Sequence, residues 1–139
     1  MSLERTYAMI KPDAVAAGNS GKIIDLIEKH GFRIVAMKKL KMTKEQGEAF
    51  YAVHMERPFY SSLVTFMTEG PIVALVMERE DAVKQWRDLL GATNPANAAD
   101  GTVRKLYATS IERNAAHGSD APETAAEETR FFFSSSELL

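Results

Sequence analysis

The chain has 139 residues, 45% of them hydrophobic and 26% charged, which suits a single domain spanning the whole length, 1–139, with enough apolar material for a core. Seventeen Lys and Arg against 19 Asp and Glu give a formal net charge of −2, so there is no basic field for nucleic acid, and any polyanion must be held by a local cluster of cations. The absence of cysteine excludes disulfides, zinc-thiolate sites and thiol catalysis.

Met1 to Arg5 lacks the apolar centre of a secretion signal, and no later run is long and apolar enough for a bilayer, so the expected location is the cytoplasm. Arg5 to Ile10 reads as a short buried strand, and Pro12 ends it, which leaves Lys11 at the strand's C-terminal end. Gly18 and Gly21 mark a turn. Ile23, Ile24 and Ile27 form a helical stripe closed by Gly31. Phe32 to Lys41 alternates, with Phe32, Ile34, Ala36 and Leu40 on one face and Arg33, Lys39 and Lys41 on the other, as in a half-exposed antiparallel strand. Thr43-Lys44-Glu45-Gln46 is a capping box, and the helix behind it carries Ala49, Phe50 and Val53 on its inner side. Tyr51 and His54 fall off that stripe and read as partly exposed.

Arg57-Pro58-Phe59-Tyr60 breaks the helical run. Ser61 can cap a second helix with Leu63, Phe66 and Met67 inward. Phe59 reads either as a core anchor or as a stacking platform. After the Gly70-Pro71 turn, Ile72 to Met77 is apolar throughout and reads as a central strand. Asp81 can cap the next helix, whose buried stripe is Ala82, Val83, Trp86, Leu89 and Leu90 and which Gly91 ends. Arg87 is off the stripe and, taken alone, is a solvated charge. Gly91 to Gly101 is small, polar and rich in turn formers, and a loop this long is uncommon in a domain unless it binds something. A short amphipathic piece runs from Thr102 to Ala108. Near the end, Phe131 to Phe133 and the tail from Ser134 offer surface to a partner or a frayed terminus. The order fits a β-α-β-β-α-β, ferredoxin-like core: a four-stranded antiparallel sheet with helices packed on it and one long loop.

Between these elements lies Asn114-Ala115-Ala116-His117-Gly118-Ser119-Asp120-Ala121. Pro122 follows at a favoured first helical position, Asp120 can cap the exposed amides, and Glu123 to Thr129 reads as helix. His117 is therefore expected on a turn just before a helix N-terminus, where anions are attracted. Two readings stand for this segment: a capped surface loop, or phosphate chemistry on a histidine. No Walker loop, protein-kinase set, His-Glu-x-x-His or Gly-x-Ser-x-Gly is present, and the three histidines are far apart in sequence. What remains is one activatable imidazole, arginines and a threonine around a long loop, and a lysine at a strand end. Such a set suits covalent phosphoryl transfer, in which the protein contributes positioning and charge stabilisation.

Asn114-Ala115-Ala116-His117-Gly118-Ser119-Asp120 resembles the active-site signature of the nucleoside diphosphate kinases. Glu4-Arg5-Thr6, Ile10-Lys11-Pro12-Asp13, Phe50-Tyr51, Arg57-Pro58-Phe59, Gly70-Pro71, Gly91-Ala92-Thr93-Asn94-Pro95 and Gly101-Thr102-Val103-Arg104 match further landmarks of that family in order. The resemblance implies a phosphohistidine at Nδ1 of His117, formed from a nucleoside triphosphate and discharged to a diphosphate by a ping-pong route. It implies that Glu128 orients the imidazole with Ser119 nearby, that Lys11 and Asn114 contact the sugar, that Lys11 also meets the transferred phosphate, and that Tyr51 supports Lys11 and His117. Arg87, Thr93 and Arg104 would bind phosphates, and Phe59 and Ile111 would enclose the base. Mg2+ would bridge the phosphates without a protein cage, and the chain would form a homo-oligomer, a tetramer or a hexamer. Two positions depart from the family's habit: Ala121 where Ser is common, and Ala14 where Gly is frequent, which fits if φ is negative there. The rival class is a non-catalytic ferredoxin-like module that binds a nucleotide or senses a small molecule; it would have no need of His117.

Overall fold

The computed structural model describes residues 3–139. Strand β1 (Leu3–Ile10) leads into a short helix α1 (Pro12–Ala16) and then α2 (Ser20–Lys29). Strand β2 (Arg33–Leu40) is followed by α3 (Lys44–Phe50), a 3-10 turn (Ala52–His54) and α4 (Tyr60–Met67). Strand β3 (Ile72–Glu80), α5 (Ala82–Leu90), α6 (Val103–Tyr107), β4 (Ala116–Gly118) and α7 (Pro122–Phe132) complete the order. The strands form one antiparallel sheet in the order β2-β3-β1-β4, the ferredoxin-like arrangement. The apolar run in β3 is buried from Ile72 to Met77, as a central strand requires.

Alternation along β1 and β3 divides the core in two. Ala8, Ile10, Val73, Leu75 and Met77 face α2 and α5, where Ile23, Ile27, Trp86 and Leu90 are all buried. Tyr7, Met9, Ile72, Ala74 and Val76 face Tyr51, Phe66, Met67 and Phe133. Helices therefore cover both faces, because the inserted α3 and α4 and the C-terminal α7 fill the face that a minimal ferredoxin-like fold leaves open.

Several local expectations change for physical reasons. A bulge between Ile34 and Ala36 breaks the alternation of β2. Phe32 and Ile34 pack on the α2/α5 side, whereas Val35, Ala36 and Leu40 pack on the other, so Phe32, Ile34, Ala36 and Leu40 do not share one face. The Thr43 capping box forms with Gln46, but α3 ends at Phe50 and the tighter 3-10 turn changes the period. Tyr51 is thereby buried and Val53 exposed, the reverse of the stripe expected. Ser61 lies inside α4 rather than capping it. Asp81 adopts a left-handed φ of 54° and makes no cap bond; the Glu4 carboxylate instead accepts from the Val83 amide at 2.9 Å. The tail is bound to its own chain, with Glu137 on Lys38 at 2.7 Å and the Leu139 carbonyl accepting from Arg5 at 3.0 Å. Phe132 and Phe133 likewise pack into the second core, and Phe131 is 39% exposed.

Candidate active site

His117 sits in a strand rather than a turn, since β4 pairs Met9 with His117 on the edge of the sheet. Its parity with Met9 turns the imidazole to the face covered by α7, and turns Ala116 and Gly118 to the other. Gly118 has no room for a side chain: a Cβ there would lie 2.8 Å from Trp86 Cδ1 and 2.9 Å from Leu90 Cδ1. Trp86 Nε1 donates to the His117 carbonyl at 3.1 Å, so α5 holds the strand from behind. Phe50 meets the imidazole edge-on at 5.8 Å, and Tyr7 lies at 6.1 Å.

Three residues form a chain of hydrogen bonds. Ser119 Oγ donates to Glu128 Oε1 at 2.6 Å, and the same oxygen accepts from His117 Nε2 at 3.0 Å. Burial pushes the Glu128 carboxyl up, but its bonds to His117 and Ser119 more than offset this and hold it below the usual range. An ionised Glu128 can only accept, so the proton is on Nε2 and the lone pair of neutral His117 is on Nδ1. Tyr51 is buried nearby, and burial, with the Glu128 charge adding, raises its phenol so that it stays protonated. A cleft of about 290 Å³ opens beside the imidazole between Phe50, His54, Glu128 and Phe131. Asp120 does not cap α7; it is paired with Arg87 at 2.8 Å. No side chain caps the first amides of α7; Thr124 Oγ1 accepts from the Ala121 amide at 3.0 Å, a contact that needs no hydroxyl at position 121.

The cations meet on the other side of Ala116. Lys11 Nζ donates to Asn114 Oδ1 at 2.8 Å, and Asn114 Nδ2 reaches the Thr93 carbonyl at 3.5 Å. It is Thr93's backbone, not its hydroxyl, that joins this set. Arg104 donates to the carbonyls of Gly91 and Ala116, each at 3.0 Å. Gly91 makes this possible, with a φ of +85° and no space beside Thr102. The sheet ladder continues one rung beyond β4, where the Lys11 amide donates to Ala115 O at 2.8 Å. Ala115 adopts a φ of 77° with its amide on Asp13 Oδ2 at 3.1 Å, a strained joint held from both sides. Ala14, by contrast, lies in helix α1 and is buried, where an alanine fits without strain.

Burial, and then the nearby Arg104, lowers the Lys11 ammonium to about 8. Burial, and then Arg87, lowers Arg104 to about 10. Cations depressed first by burial and then by a neighbouring like charge make a site that an anion would relieve. Phe59 and Ile111 take no part in the hydrogen bonds of this cluster and are exposed, 43% and 60%. Sequence reasoning assigned no role to Phe50, Asp13 and Trp86 in this site. Phe50 belongs to a core stripe and to the landmark Phe50-Tyr51, Trp86 to a buried stripe, and Asp13 only to the landmark Ile10-Lys11-Pro12-Asp13.

Known proteins resemble this chain along its whole length. The sequence pattern of the family described as "Nucleoside diphosphate kinase" matches residues 4–138. A protein of that name from Bradyrhizobium diazoefficiens is 58% identical over 139 residues, covering 100% of this chain and 99% of its own length. Another from Geotalea uraniireducens is 56% identical over 137 residues, with 99% and 100% covered. The solved nucleoside diphosphate kinase of Aquifex aeolicus superposes with a TM-score of 0.97 at 43% identity, covering 99% of this chain and 100% of that one. The Halobacterium salinarum nucleoside diphosphate kinase in complex with CDP gives 0.95 at 38% identity, with 99% and 92% covered. Matched from end to end in sequence and in fold, the chain belongs to the nucleoside diphosphate kinase family.

Proposed function

We propose that this nucleoside diphosphate kinase, one domain over residues 1–139, carries the phosphoryl group on Nδ1 of His117. The Ser119–Glu128–His117 chain is the observation that supports it, because it fixes the tautomer and leaves one nitrogen with a free electron pair. In the first half-reaction Nδ1 attacks the γ-phosphorus of a nucleoside triphosphate, the bond from γ-phosphorus to the β,γ-bridging oxygen breaks, and the diphosphate leaves with that electron pair. In the second half-reaction the terminal oxygen of another diphosphate takes the group and the nitrogen–phosphorus bond breaks. The proton on Nε2 stays on its bond to Glu128 throughout. Arg87 and Arg104 meet the phosphates, Lys11 the transferred group and the sugar, and Asn114 the sugar; Tyr51 is proposed to support Lys11 and His117 by packing, since its buried hydroxyl bonds to neither. Thr93 contributes at the phosphates beside Asn114. Phe59 and Ile111 enclose the base. Asp120 on Arg87 is an exposed pair, which a phosphate can displace at little cost.

The donor set suits Mg2+ carried by the substrate. Among the described residues no group of three His, Asp or Glu could hold an ion, while Lys11, Arg87 and Arg104 supply charge for the phosphates. Mg2+ keeps several waters and is often held by phosphate oxygens. When bound it neutralises charge between the phosphates; the chain's own residues bind and orient those phosphates.

A cytoplasmic location and a homo-oligomer, tetramer or hexamer, are part of the same reading. No helix among the described residues is long and apolar enough to cross a membrane. Met37, 51% exposed on the outer strand β2, is apolar surface left for a partner copy, whereas Phe132 and Phe133 serve the chain's own core. Sedimentation at micromolar protein that gives only the 15.4 kDa species would rule the oligomer out. For the phosphohistidine, ATP labelled in its γ-phosphate should label the protein and added GDP should remove the label. A non-catalytic nucleotide-binding module would take up no label.

A further inference from the structure

Phe59 and Ile111 belong to separate segments, and polar contacts beside them tie those segments together. Phe59 opens α4, with its carbonyl accepting from the Leu63 amide at 2.9 Å. One turn along, Ser62 Oγ donates to the Glu112 carboxylate, 2.9 Å to Oε2 and 3.2 Å to Oε1. Ile111 is the neighbour of Glu112 in a closed turn, in which the Thr109 amide donates to Arg113 O at 2.9 Å and the Arg113 amide to Ser110 Oγ at 3.0 Å. The turn is fastened again beyond the far end of α4. Arg113 grips Glu69 with both terminal nitrogens, at 3.2 and 3.1 Å, and its guanidinium lies 4.7 Å from the centre of the buried Phe66 ring.

We infer that Ser62 and Glu112, backed by Arg113 and Glu69, are positioning residues that set the separation of Phe59 and Ile111 before a nucleotide arrives. This inference rests on the reading of those two side chains as the base slot. Exposed ion pairs and hydrogen bonds add little to folding stability, so the effect of these contacts falls on the geometry of the two apolar walls. A wall already ordered does not draw its ordering cost from the binding energy. Two fastening points, one at each end of α4, also prevent the turn from pivoting about either. Neither Ser62 nor Glu112 needs to touch the base for this effect.

The test is steady-state kinetics on the full-length enzyme with two donors, ATP and a ribose triphosphate lacking a base, and with melting temperature as a check on folding. Ser62→Ala and Glu112→Ala should each raise the KM for ATP by about three- to tenfold, the value of one ordinary hydrogen bond, with kcat nearly unchanged. Neither should change the KM for the base-free donor. The double variant should be no worse than the singles, as for two members of one contact. Glu112→Gln keeps an acceptor oxygen and should recover most of the loss. Phe59→Ala in the same assay separates the two levels of the argument. If Phe59→Ala weakens ATP and the Ser62 and Glu112 variants do not, the slot stands and the brace is wrong. If Phe59→Ala leaves ATP unaffected, the slot reading fails and the brace falls with it. An equal rise in KM for both donors would place Glu112's effect on the charge around Lys11, and would overturn the positioning role.

Discussion

The two ends of the proposed nucleotide site are built in opposite ways. At the phosphate end Lys11 and Asn114 are 8% and 3% exposed and bonded to each other, and Arg104 is anchored on two carbonyls. At the base end Phe59 and Ile111 stand in solvent as apolar walls without a directed donor or acceptor of their own. A buried polar group discriminates strongly, because a wrong partner leaves it unpaired; an apolar wall does not. On this assignment demanding chemistry is spent on what every nucleotide has in common, and tolerant chemistry on what varies. Broad use of bases and of both sugars is what that division would give.

The largest expected effect is at His117. His117→Ala should lower turnover by about a thousandfold or more, with loss of the labelled protein and an unchanged circular dichroism spectrum. Label on that variant would put the nucleophile elsewhere. Next in size is Arg104. Arg104→Ala should lower kcat by about a hundredfold and raise KM as well, because a preorganised cation acts on charge that shifts during transfer. A change in KM alone would make it a ground-state binder.

Lys11 makes the phosphate end sensitive to pH. Its pKa is lowered to about 8, so the buried ammonium is charged below that value and its cost to folding is present there. As pH rises through about 8 toward the unfolded-state value of about 10.4, the cost is relieved and this group's contribution to stability improves. Nucleotide binding should move the other way, because deprotonation removes a cation from the phosphate end. KM should climb above about pH 8 in the native enzyme and stay flat in Lys11→Gln. A native enzyme without that climb would remove Lys11 from phosphate binding.

The smallest effect belongs to the base end. Phe59→Ala should weaken ATP, GTP, CTP and UTP together by about 1 kcal/mol, at the lower edge for stacking because the ring is half in water. Values of kcat/KM for the four should stay within about a hundredfold of one another. A single base singled out by the variant would show that some side chain reads its edge.

Much of this frame was legible where one period governs a whole element. Trp86, Leu89 and Leu90 are buried as a helical stripe demands, and Ile72 to Met77 as a central strand demands. Legibility failed where a single residue resets the period. One extra residue at Val35 moved half of β2 to the opposite face, and a 3-10 turn exchanged the burial of Tyr51 and Val53. Caps were misassigned at Asp81 and Asp120 because the competing partners, Glu4 and Arg87, come from distant parts of the chain. The same distance hid the phosphate end. Lys11 and Asn114 meet across 103 positions, a contact that no periodicity could announce and that only the resemblance suggested.

The extra rung from the Lys11 amide to Ala115 O has a consequence in time. Residues on loops exchange their amide hydrogens as the loop flickers, but this amide belongs to the ladder between β1 and β4. It can exchange only when the edge of the sheet opens, so the phosphate end shares the slow clock of the core. On the proposed assignment, substrates would come and go past Phe59 and Ile111 on the fast clock of the surface, while the backbone that carries Lys11 moves on the slower one.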